Sequence, residues 1–388
     1  MNGSDNATLQ GYDNTQRVLY GFQLYYTPLL VFLGTVGNAL SVFVFFATKL
    51  RKLSSSYYLS ALAISDTGFL IALFISWLNL IDVNLFNMPG ICQLTVYLTQ
   101  VCSFLSVWFV VAFTVERFIA VRYPLKRPSM CTVTRAKLVL SALTLFTLSM
   151  CSPYLFISAP QWRPNPADSN STLLVCSLVD HWMDLATTLN YIDFVVTLLI
   201  PFCLIVVLNT LISKTVWRLA RVRRSMTNSG KSEVNNIGPV GVKRPILARS
   251  QSKQASSSQT KVTEMLLVVS SVFICLNLPS YVIRVWVFVN EAIQTETVSE
   301  IVILQHYFNL LFNTNFGINF ALYCVSGQNF RRALISLFCP RMRKRQDTTQ
   351  VTVVSEYTRS AGSLYRRRTV TLNNGSWRDN HELLPITK

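Results

Sequence analysis

Residues 24–48 read LYYTPLLVFLGTVGNALSVFVFFAT, a stretch of apolar and small residues that contains no charged side chain. A helix that crosses the hydrocarbon core of a bilayer needs about 20 such residues. Six further, largely apolar stretches follow, at Tyr57–Leu80, Cys92–Val121, Lys137–Ile157, Leu189–Leu219, Val262–Asn290 and Ser299–Val325. The sequence therefore predicts an all-α membrane protein in which residues 24–325 form a bundle of seven transmembrane helices.

The composition supports a membrane protein. Hydrophobic residues make up 51% of the chain and charged residues only 14%, yet the net charge is +17. A charge of this size is also typical of proteins that bind nucleic acid. Here the basic residues lie between and after the apolar stretches and form no amphipathic or aromatic surface, so we expect no nucleic-acid partner.

The distribution of basic residues predicts the orientation. The connections after the first, third and fifth stretches and the carboxyl-terminal tail are rich in Lys and Arg, whereas the other connections are sparse and acidic. Basic loops stay in the cytoplasm, so the amino terminus is predicted outside and the carboxyl terminus inside. The first residues lack a basic segment followed by an apolar one, so no cleaved signal peptide is expected.

The regions outside the bundle are predicted from composition. Residues 1–23 form an extracellular segment with sequons at Asn2 and Asn6, and a third sequon at Asn170 lies in an outer loop. Residues 220–261 and 340–388 are polar, and we expect a disordered third intracellular loop and a disordered cytoplasmic tail. Residues 326–339 predict an amphipathic helix on the membrane surface. Cys339 at its end is placed for palmitoylation, or is an unmodified cysteine.

Three groups of residues suggest specific chemistry. Cys92 and Cys176 form the one cysteine pair placed to meet in an oxidising compartment, so a disulfide is predicted. Glu116 and Arg117 predict an ion pair beside Phe118 at the cytoplasmic end of the third helix. Five polar residues within the helices can converge on a buried site that suits a sodium ion, or form a hydrogen-bond network without an ion: Asn38, Asp66, Ser106, Asn315 and Asn319.

These features together resemble the rhodopsin-like (class A) G-protein-coupled receptors. The family motifs are matched in chain order by Gly37-Asn38, Leu62-Ala63-Ile64-Ser65-Asp66, Cys92 with Cys176, Glu116-Arg117-Phe118, Pro201, Pro279 and Asn319-Phe320-Ala321-Leu322-Tyr323. The resemblance covers about residues 24–340. It implies a plasma-membrane receptor that couples to a heterotrimeric G protein by opening of the sixth helix. It also implies receptor kinases, arrestin and membrane lipid as partners, no catalytic activity and no cofactor besides a possible allosteric sodium ion.

The sequence also departs from the family pattern. Asn277 stands at the usual sixth-helix tryptophan, Phe320 at the seventh-helix proline and Asn209 at a position where a fifth-helix tyrosine is common. Without the indole and the proline kink, we expect the switch to repack differently. No acidic residue at the inner end of the sixth helix can lock Arg117, since Glu264 lies more than a turn deeper, and this predicts elevated basal activity.

The outer half of the bundle gives clues to the ligand. Thr99 occupies the position of the aspartate that binds biogenic amines, which argues against an amine ligand. No lysine in the seventh helix could hold retinal, which excludes a retinal Schiff base. Asp193 and Arg284 face the expected pocket. They either receive a cationic group and a carbonyl, amide or carboxylate of the ligand, or pair with each other. Further polar candidates for ligand contact are Thr99, Gln100, Tyr281, Gln305, His306 and Asn309.

These clues favour a short basic or amidated neuropeptide, because the acidic outer face attracts cations. The segment 132–137 and Arg284 look similar to the receptors of the thyrotropin-releasing-hormone and invertebrate FMRFamide type. A lipid or another small non-amine ligand is the alternative. A channel or transporter would need a continuous polar path or broken helices that carry substrate groups, and an intramembrane hydrolase would need a catalytic cluster that three dispersed histidines do not supply.

Overall fold

A computed structural model describes residues 3–165, 168–234, 246–292, 299–338, 352–360, 363–371, 377–378 and 384–385. The chain divides into two compact units, residues 1–330 and residues 331–388. The first unit contains the helices predicted to cross the membrane. The second begins inside the helix that follows the last of them.

The helices of the first unit follow the apolar stretches closely. Helices α1 to α4 are, in order, Gly3–Ala47, Ser54–Leu78, Ile91–Arg122 and Val133–Met150. Helix α5 comprises Met183–Asp193, a π-helical segment Phe194–Leu199 and Ile200–Val234, and α6 is Ile246–Ala292. Helix α7 has two segments, Ser299–Thr314 and Asn319–Ser326, and α8 is Gln328–Phe338. Short helical turns lie at Lys49–Lys52, Asn79–Ile81, Arg127–Met130, Tyr154–Ile157 and Asp180–Trp182.

Six of the described helical stretches are long and apolar enough to cross a membrane, at Arg17–Ala47, Ser54–Ile81, Ile91–Arg122, Val133–Ile157, Asp180–Val222 and Thr263–Val287. Helix α7 does not meet the same length criterion because it is divided at residues 315–318. Its two segments together still cover the seventh predicted stretch. The difference between six and seven therefore reflects an interruption of α7 and not a missing helix.

Three regions differ from the predictions made from composition. Helix α5 continues to Val234 and α6 begins at Ile246, so the ends of the third intracellular loop are helical where disorder was predicted. The tail, also predicted to be disordered, contains an antiparallel pair of strands, Thr352–Ser360 and Ser363–Thr371, and two short strands at Trp377–Arg378 and Leu384–Pro385. Its Val, Thr and Tyr residues favour strands locally, which an argument from overall polarity does not detect. Helix α1 likewise reaches into the predicted extracellular segment.

Helix α7 is interrupted although Phe320 replaces the expected proline. At the interruption the backbone forms i→i+3 hydrogen bonds, including Gly317 N–H to Thr314 O at 3.1 Å. The Asn38 side-chain amide donates to the Phe316 carbonyl at 3.0 Å. Gly317 also packs on Gly34 of α1, where an added Cβ would lie 2.8 Å from the Gly317 Cα. Small residues let helices approach this closely. A close glycine contact and an asparagine hydrogen bond therefore accompany the interruption of α7, which contains no proline.

Helix α5 widens into its π-helical segment just before Pro201. The Ile200 N–H donates to Val195 O five residues earlier, so the next such bond would run from residue 201 to Val196 O. Proline has no N–H and cannot donate. The indole Nε1 of Trp108 on α3 donates to Val196 O instead, at 3.1 Å. A partly buried α3 side chain thus stabilises the irregular part of α5.

The second outer loop forms a β-hairpin that the sequence analysis did not predict. Strand β1 (Ser158–Asn165) pairs antiparallel with β2 (Asp168–Leu178), with Pro160 opposite Cys176. Cys176 forms the predicted disulfide with Cys92 at the start of α3. Asn87, a buried residue of the first outer loop, accepts the Cys176 N–H at 2.9 Å and donates to Asn79 Oδ1 at 2.8 Å. The hairpin is therefore held to the bundle by a covalent bond and a hydrogen bond at the same residue.

Replacing Trp108 with Phe should destabilise the bundle. An aromatic ring is retained, but the partly buried Val196 carbonyl loses its donor, which costs about 1–3 kcal/mol. We expect a lower apparent Tm of the purified protein in detergent. Trp286→Phe is the matched control because the Trp286 side chain is 56% exposed. Equal Tm values for the two variants would contradict the assigned role of the indole N–H.

Replacing Asn87 with Leu should loosen the hairpin without breaking the disulfide. The Cys176 N–H then lacks an acceptor, and an unpaired buried donor is unfavourable by about 1–3 kcal/mol. Hydrogen–deuterium exchange of peptides from β2 should become faster. Asn84→Ala is the control, since Asn84 is exposed and contacts Asn87 only at 3.4 Å. Unchanged exchange in Asn87→Leu would show that the disulfide alone fixes the loop.

Candidate functional site

A cavity of about 300 Å³ opens in the outer half of the bundle, and a second of about 280 Å³ adjoins it. Both are lined by Asp193, Tyr281 and Arg284. Each of the eight residues predicted to contact a ligand lines one or both: Thr99, Gln100, Asp193, Tyr281, Arg284, Gln305, His306 and Asn309. Helices α3, α5, α6 and α7 therefore place these side chains around one continuous space.

Several lining residues were missed from the sequence. Gln23 of α1, Ser103 of α3, Asn190 of α5 and Asn313 of α7 also face the cavities. These four residues carry no ionisable group that would mark them in the sequence. An uncharged polar residue in a long helix gives little signal of which way it faces, and only Gln23 could have been suspected because it directly precedes the first apolar stretch.

Asp193 and Arg284 face the cavity without forming an ion pair, although both lie in the described part of the chain. The Thr197 hydroxyl donates to Asp193 Oδ1 at 2.7 Å. The Arg284 guanidinium instead lies 5.6 Å from the Phe312 ring centre and 6.0 Å from that of Tyr281. Aromatic faces attract a cation but do not neutralise it. The structure therefore leaves one acidic and one basic group available to a ligand.

The floor and walls of the cavity are held by packing and hydrogen bonds. Phe69, Phe312 and Phe316 form a buried aromatic cluster in which Phe69 and Phe316 stack at 3.6 Å between ring centres. Ser280 of α6 donates to Asn309 Oδ1 of α7 at 3.1 Å. Thr99 uses its hydroxyl within α3, donating to Thr95 O at 2.8 Å. The lining is thus preorganised, which lowers the cost of ordering side chains on binding.

A buried polar network lies deeper in the bundle, centred on Asp66. Ser106 donates to Asp66 Oδ1 at 2.7 Å and Asn319 to Asp66 Oδ2 at 2.6 Å. Asn315 is buried nearby in the chain, and its carbonyl lies 3.5 Å from the Asn319 amide. Asn38 contacts the α7 backbone rather than Asp66 itself. The structure thus brings three of the five predicted polar residues together directly and places the other two at the α7 interruption.

The end of α3 that is predicted to be cytoplasmic carries the ion pair between Glu116 and Arg117, and both residues are buried. Ser54 of α2 donates to Glu116 Oε1 at 2.9 Å. The Arg117 guanidinium lies 5.6 Å from the Phe113 ring centre. Burial and Glu116 both raise the pKa of the nearby Cys131 thiol. The charged groups of this cluster, Glu116 and Arg117, are paired with each other.

Of the remaining predicted switch residues, Asn277 and Tyr323 are buried, whereas Phe118 and Pro279 are partly buried within α3 and α6. Asn277 donates to Phe273 O at 2.6 Å within α6, where the family has an indole, and Pro279 lies inside the same helix. Tyr323 packs against Phe45 and Phe330 at 5.7 and 5.6 Å between ring centres. Phe118 makes an edge contact with Tyr123.

The predicted modification sites are not tested by the structure. Asn2 and Cys339 lie outside the described residues. Asn6 belongs to α1 and Asn170 to β2, and nothing is known of their side chains. Glycosylation at the three asparagines and palmitoylation of Cys339 stay predictions.

Comparison with known proteins agrees with this architecture. The family described as "7 transmembrane receptor (rhodopsin family)" matches residues 37–323. The chain is 26% identical to the FMRFamide receptor of Drosophila melanogaster over 81% of its length, but over 53% of that receptor. It is 26% identical to the human neurotensin receptor type 1, covering 83% of this chain and 77% of the other. With the human thyrotropin-releasing hormone receptor the identity is 24%, covering 84% and 80%.

The matched residues extend from α1 into the second segment of α7. They include the disulfide, the Asp66 network and the Glu116–Arg117 pair. The prediction of a seven-helix bundle is confirmed. Because the matched family consists of receptors, the prediction that the chain is not an enzyme is confirmed as well. This chain belongs to the rhodopsin family of seven-transmembrane receptors.

Proposed function

We propose that the chain is a plasma-membrane receptor that binds a short extracellular peptide and activates a heterotrimeric G protein when α6 opens. The observation that carries the proposal is the outer cavity, in which Asp193 and Arg284 face the same space without pairing. The relatives are named as receptors for FMRFamide, neurotensin and thyrotropin-releasing hormone. A peptide end offers both a positive group and a carbonyl or carboxyl group, as the two side chains require.

The size of the cavity indicates that only a small part of a bound peptide would be buried in it. Ligand pockets usually measure about 300–1,000 Å³, and the two adjoining cavities are about 300 and 280 Å³. We infer that one end of the peptide enters between α3, α5, α6 and α7. The remainder would lie near the hairpin β1–β2.

The proposed orientation places this cavity outside the cell. The disulfide between Cys92 and Cys176 needs an oxidising compartment to form, and it lies at the end of the bundle to which the cavity belongs. Arg117 and the basic end of α5 lie at the other end, where a G protein would bind. Phosphorylation by receptor kinases and binding of arrestin to the tail belong to the same proposal.

Peptide responses should depend on both charged residues. We expect Asp193→Asn and Arg284→Ala to lower the potency of an active peptide by about tenfold to a hundredfold, since a hydrogen bond to a charged group contributes about 1.5–3 kcal/mol. Intracellular calcium and cyclic AMP in expressing cells, challenged with short basic peptides in amidated and free-acid forms, measure this.

Matched controls make the outcome specific. Asp82→Asn removes an exposed carboxylate that lines neither cavity, and asparagine tolerates the left-handed backbone at this position. Arg284→Lys should retain part of the response. Unchanged potency in Asp193→Asn and Arg284→Ala at equal surface expression would refute the cavity as the binding site. An ion current without any signalling response would indicate a channel instead.

We further propose that the Asp66 network binds a sodium ion. Asp66 is fully buried, and no basic side chain of the described residues lies within ion-pair distance of it. A buried carboxylate without a counter-ion is unfavourable. The carboxylate, the Ser106 hydroxyl and the amide oxygens of Asn315 and Asn319 are ligands that suit a hard cation. Bound sodium would balance the charge and hold α2, α3 and α7 together.

Sodium should therefore stabilise the protein more than potassium does. A ligand that binds only the folded state raises the apparent Tm, so the Tm in NaCl should exceed that in KCl at the same ionic strength. The difference should disappear in Asp66→Asn and persist in Asp82→Asn. Identical Tm values in both salts for the unmodified receptor would favour a hydrogen-bond network without an ion.

A further inference from the structure

One hydrogen bond joins the inner halves of α5 and α6. The Asn209 side-chain Nδ2 donates to Ser270 Oγ at 2.8 Å. Ser270 is fully buried, and its own hydroxyl donates to Leu266 O one turn earlier, at 2.7 Å. The serine hydroxyl is thus oriented by its own helix, and its lone pair faces the asparagine. This geometry fixes the lateral position of α6 relative to α5.

The ion pair of Arg117 does not hold α6 in position. Arg117 is paired with Glu116 of its own helix, and both groups belong to α3. Glu264, the acidic residue of the inner part of α6, is exposed. Among the described residues, no ion pair joins α3 to α6. The described side chains at the inner end of α6 therefore form no ionic contact with α3.

This hydrogen bond satisfies only part of the Asn209 side chain. Asn209 Oδ1 is buried and has no partner among the described groups, and the same holds for Arg117 Nε. A buried polar atom without a partner is unfavourable in a membrane protein. The Asn209–Ser270 bond consequently stabilises the closed arrangement only to a limited extent, and α6 can still leave it. Such a limited bias is what a two-state switch requires.

We propose that Asn209 and Ser270 are positioning residues that hold the inner half of α6 against α5 in the closed receptor, and that this bond breaks when α6 opens. The inference rests on the proposed function, because opening of α6 is the step that it regulates. Asn209 stands where a tyrosine is common in the family, so this contact is a property of the present chain. It supplies a restraint that the sequence analysis found missing at Arg117.

Basal signalling tests the restraint. Asn209→Leu and Ser270→Ala each remove the bond, and each should raise ligand-free guanine-nucleotide exchange by about threefold to tenfold, which is the range expected for one hydrogen bond between membrane helices. The double variant should signal no more than the stronger single variant, because both changes remove the same contact. Exchange is measured in membranes with matched surface expression.

Thr210→Val is the matched control. Thr210 is the next residue of α5, and its hydroxyl bonds within the helix to Val206 O at 2.8 Å. It is exposed on the helix surface, so basal exchange should not change. Independent, additive increases from Asn209→Leu and Ser270→Ala would overturn the proposal, as would an equal increase in Thr210→Val.

A direct distance measurement separates this proposal from the proposed function. Spin labels on Leu125→Cys after α3 and Glu264→Cys on α6 report the opening, in a background that replaces the exposed Cys203 and Cys275 with Ser. Asn209→Leu should shift the distance distribution to longer values. A shift without a rise in exchange would support the restraint and count against G-protein coupling. An unchanged distribution in both Asn209→Leu and Ser270→Ala would refute the restraint.

Discussion

The backbone of a membrane protein has no water to satisfy its polar groups, so each N–H and C=O within the bilayer needs a partner inside the protein. Regular α-helices meet this requirement by themselves. In α5 and in α7 the described backbone is irregular within the bundle, and in each a side chain from another helix donates to a backbone carbonyl. Trp108 donates to Val196 O of α5, and Asn38 donates to Phe316 O of α7. These two contacts supply hydrogen bonds to carbonyls in the irregular parts of α5 and α7.

The irregular segments lie next to the two polar regions of the bundle. The π-helical part of α5 begins immediately after Asp193, and Thr197 within it donates to the Asp193 carboxylate. The interruption of α7 separates Thr314 from Asn319, the residue that donates to Asp66. Departures from α-helical geometry therefore orient the residues that are proposed to bind a ligand and an ion. In this fold, irregular backbone and function are physically linked.

The two ends of the bundle use charge differently. At the outer end, Asp193 and Arg284 remain unpaired in a cavity, where a ligand of complementary charge can replace the lost hydration. At the inner end, Glu116 and Arg117 pair within one helix. That pairing leaves α6 without an ionic contact to α3 among the described residues, and the hydrogen bond from Asn209 to Ser270 becomes a restraint on its position.

The sequence by itself determined the membrane fold, the disulfide, the Asp66 group and all eight predicted residues that line the outer cavities. The length of an apolar stretch and the positions of charges are local properties of the sequence, and in a bilayer they determine which segments cross the membrane. Only the tertiary structure decided the contacts between residues that are far apart in the sequence, because local patterns contain no information about them. The interruption of α7 without proline depends on Gly34 and Asn38 of a distant helix, and the partner of Asn209 depends on how α5 and α6 pack. Whether Asp193 pairs with Arg284 likewise depends on the space between helices, because a sequence specifies which charges are present but not the distance between them.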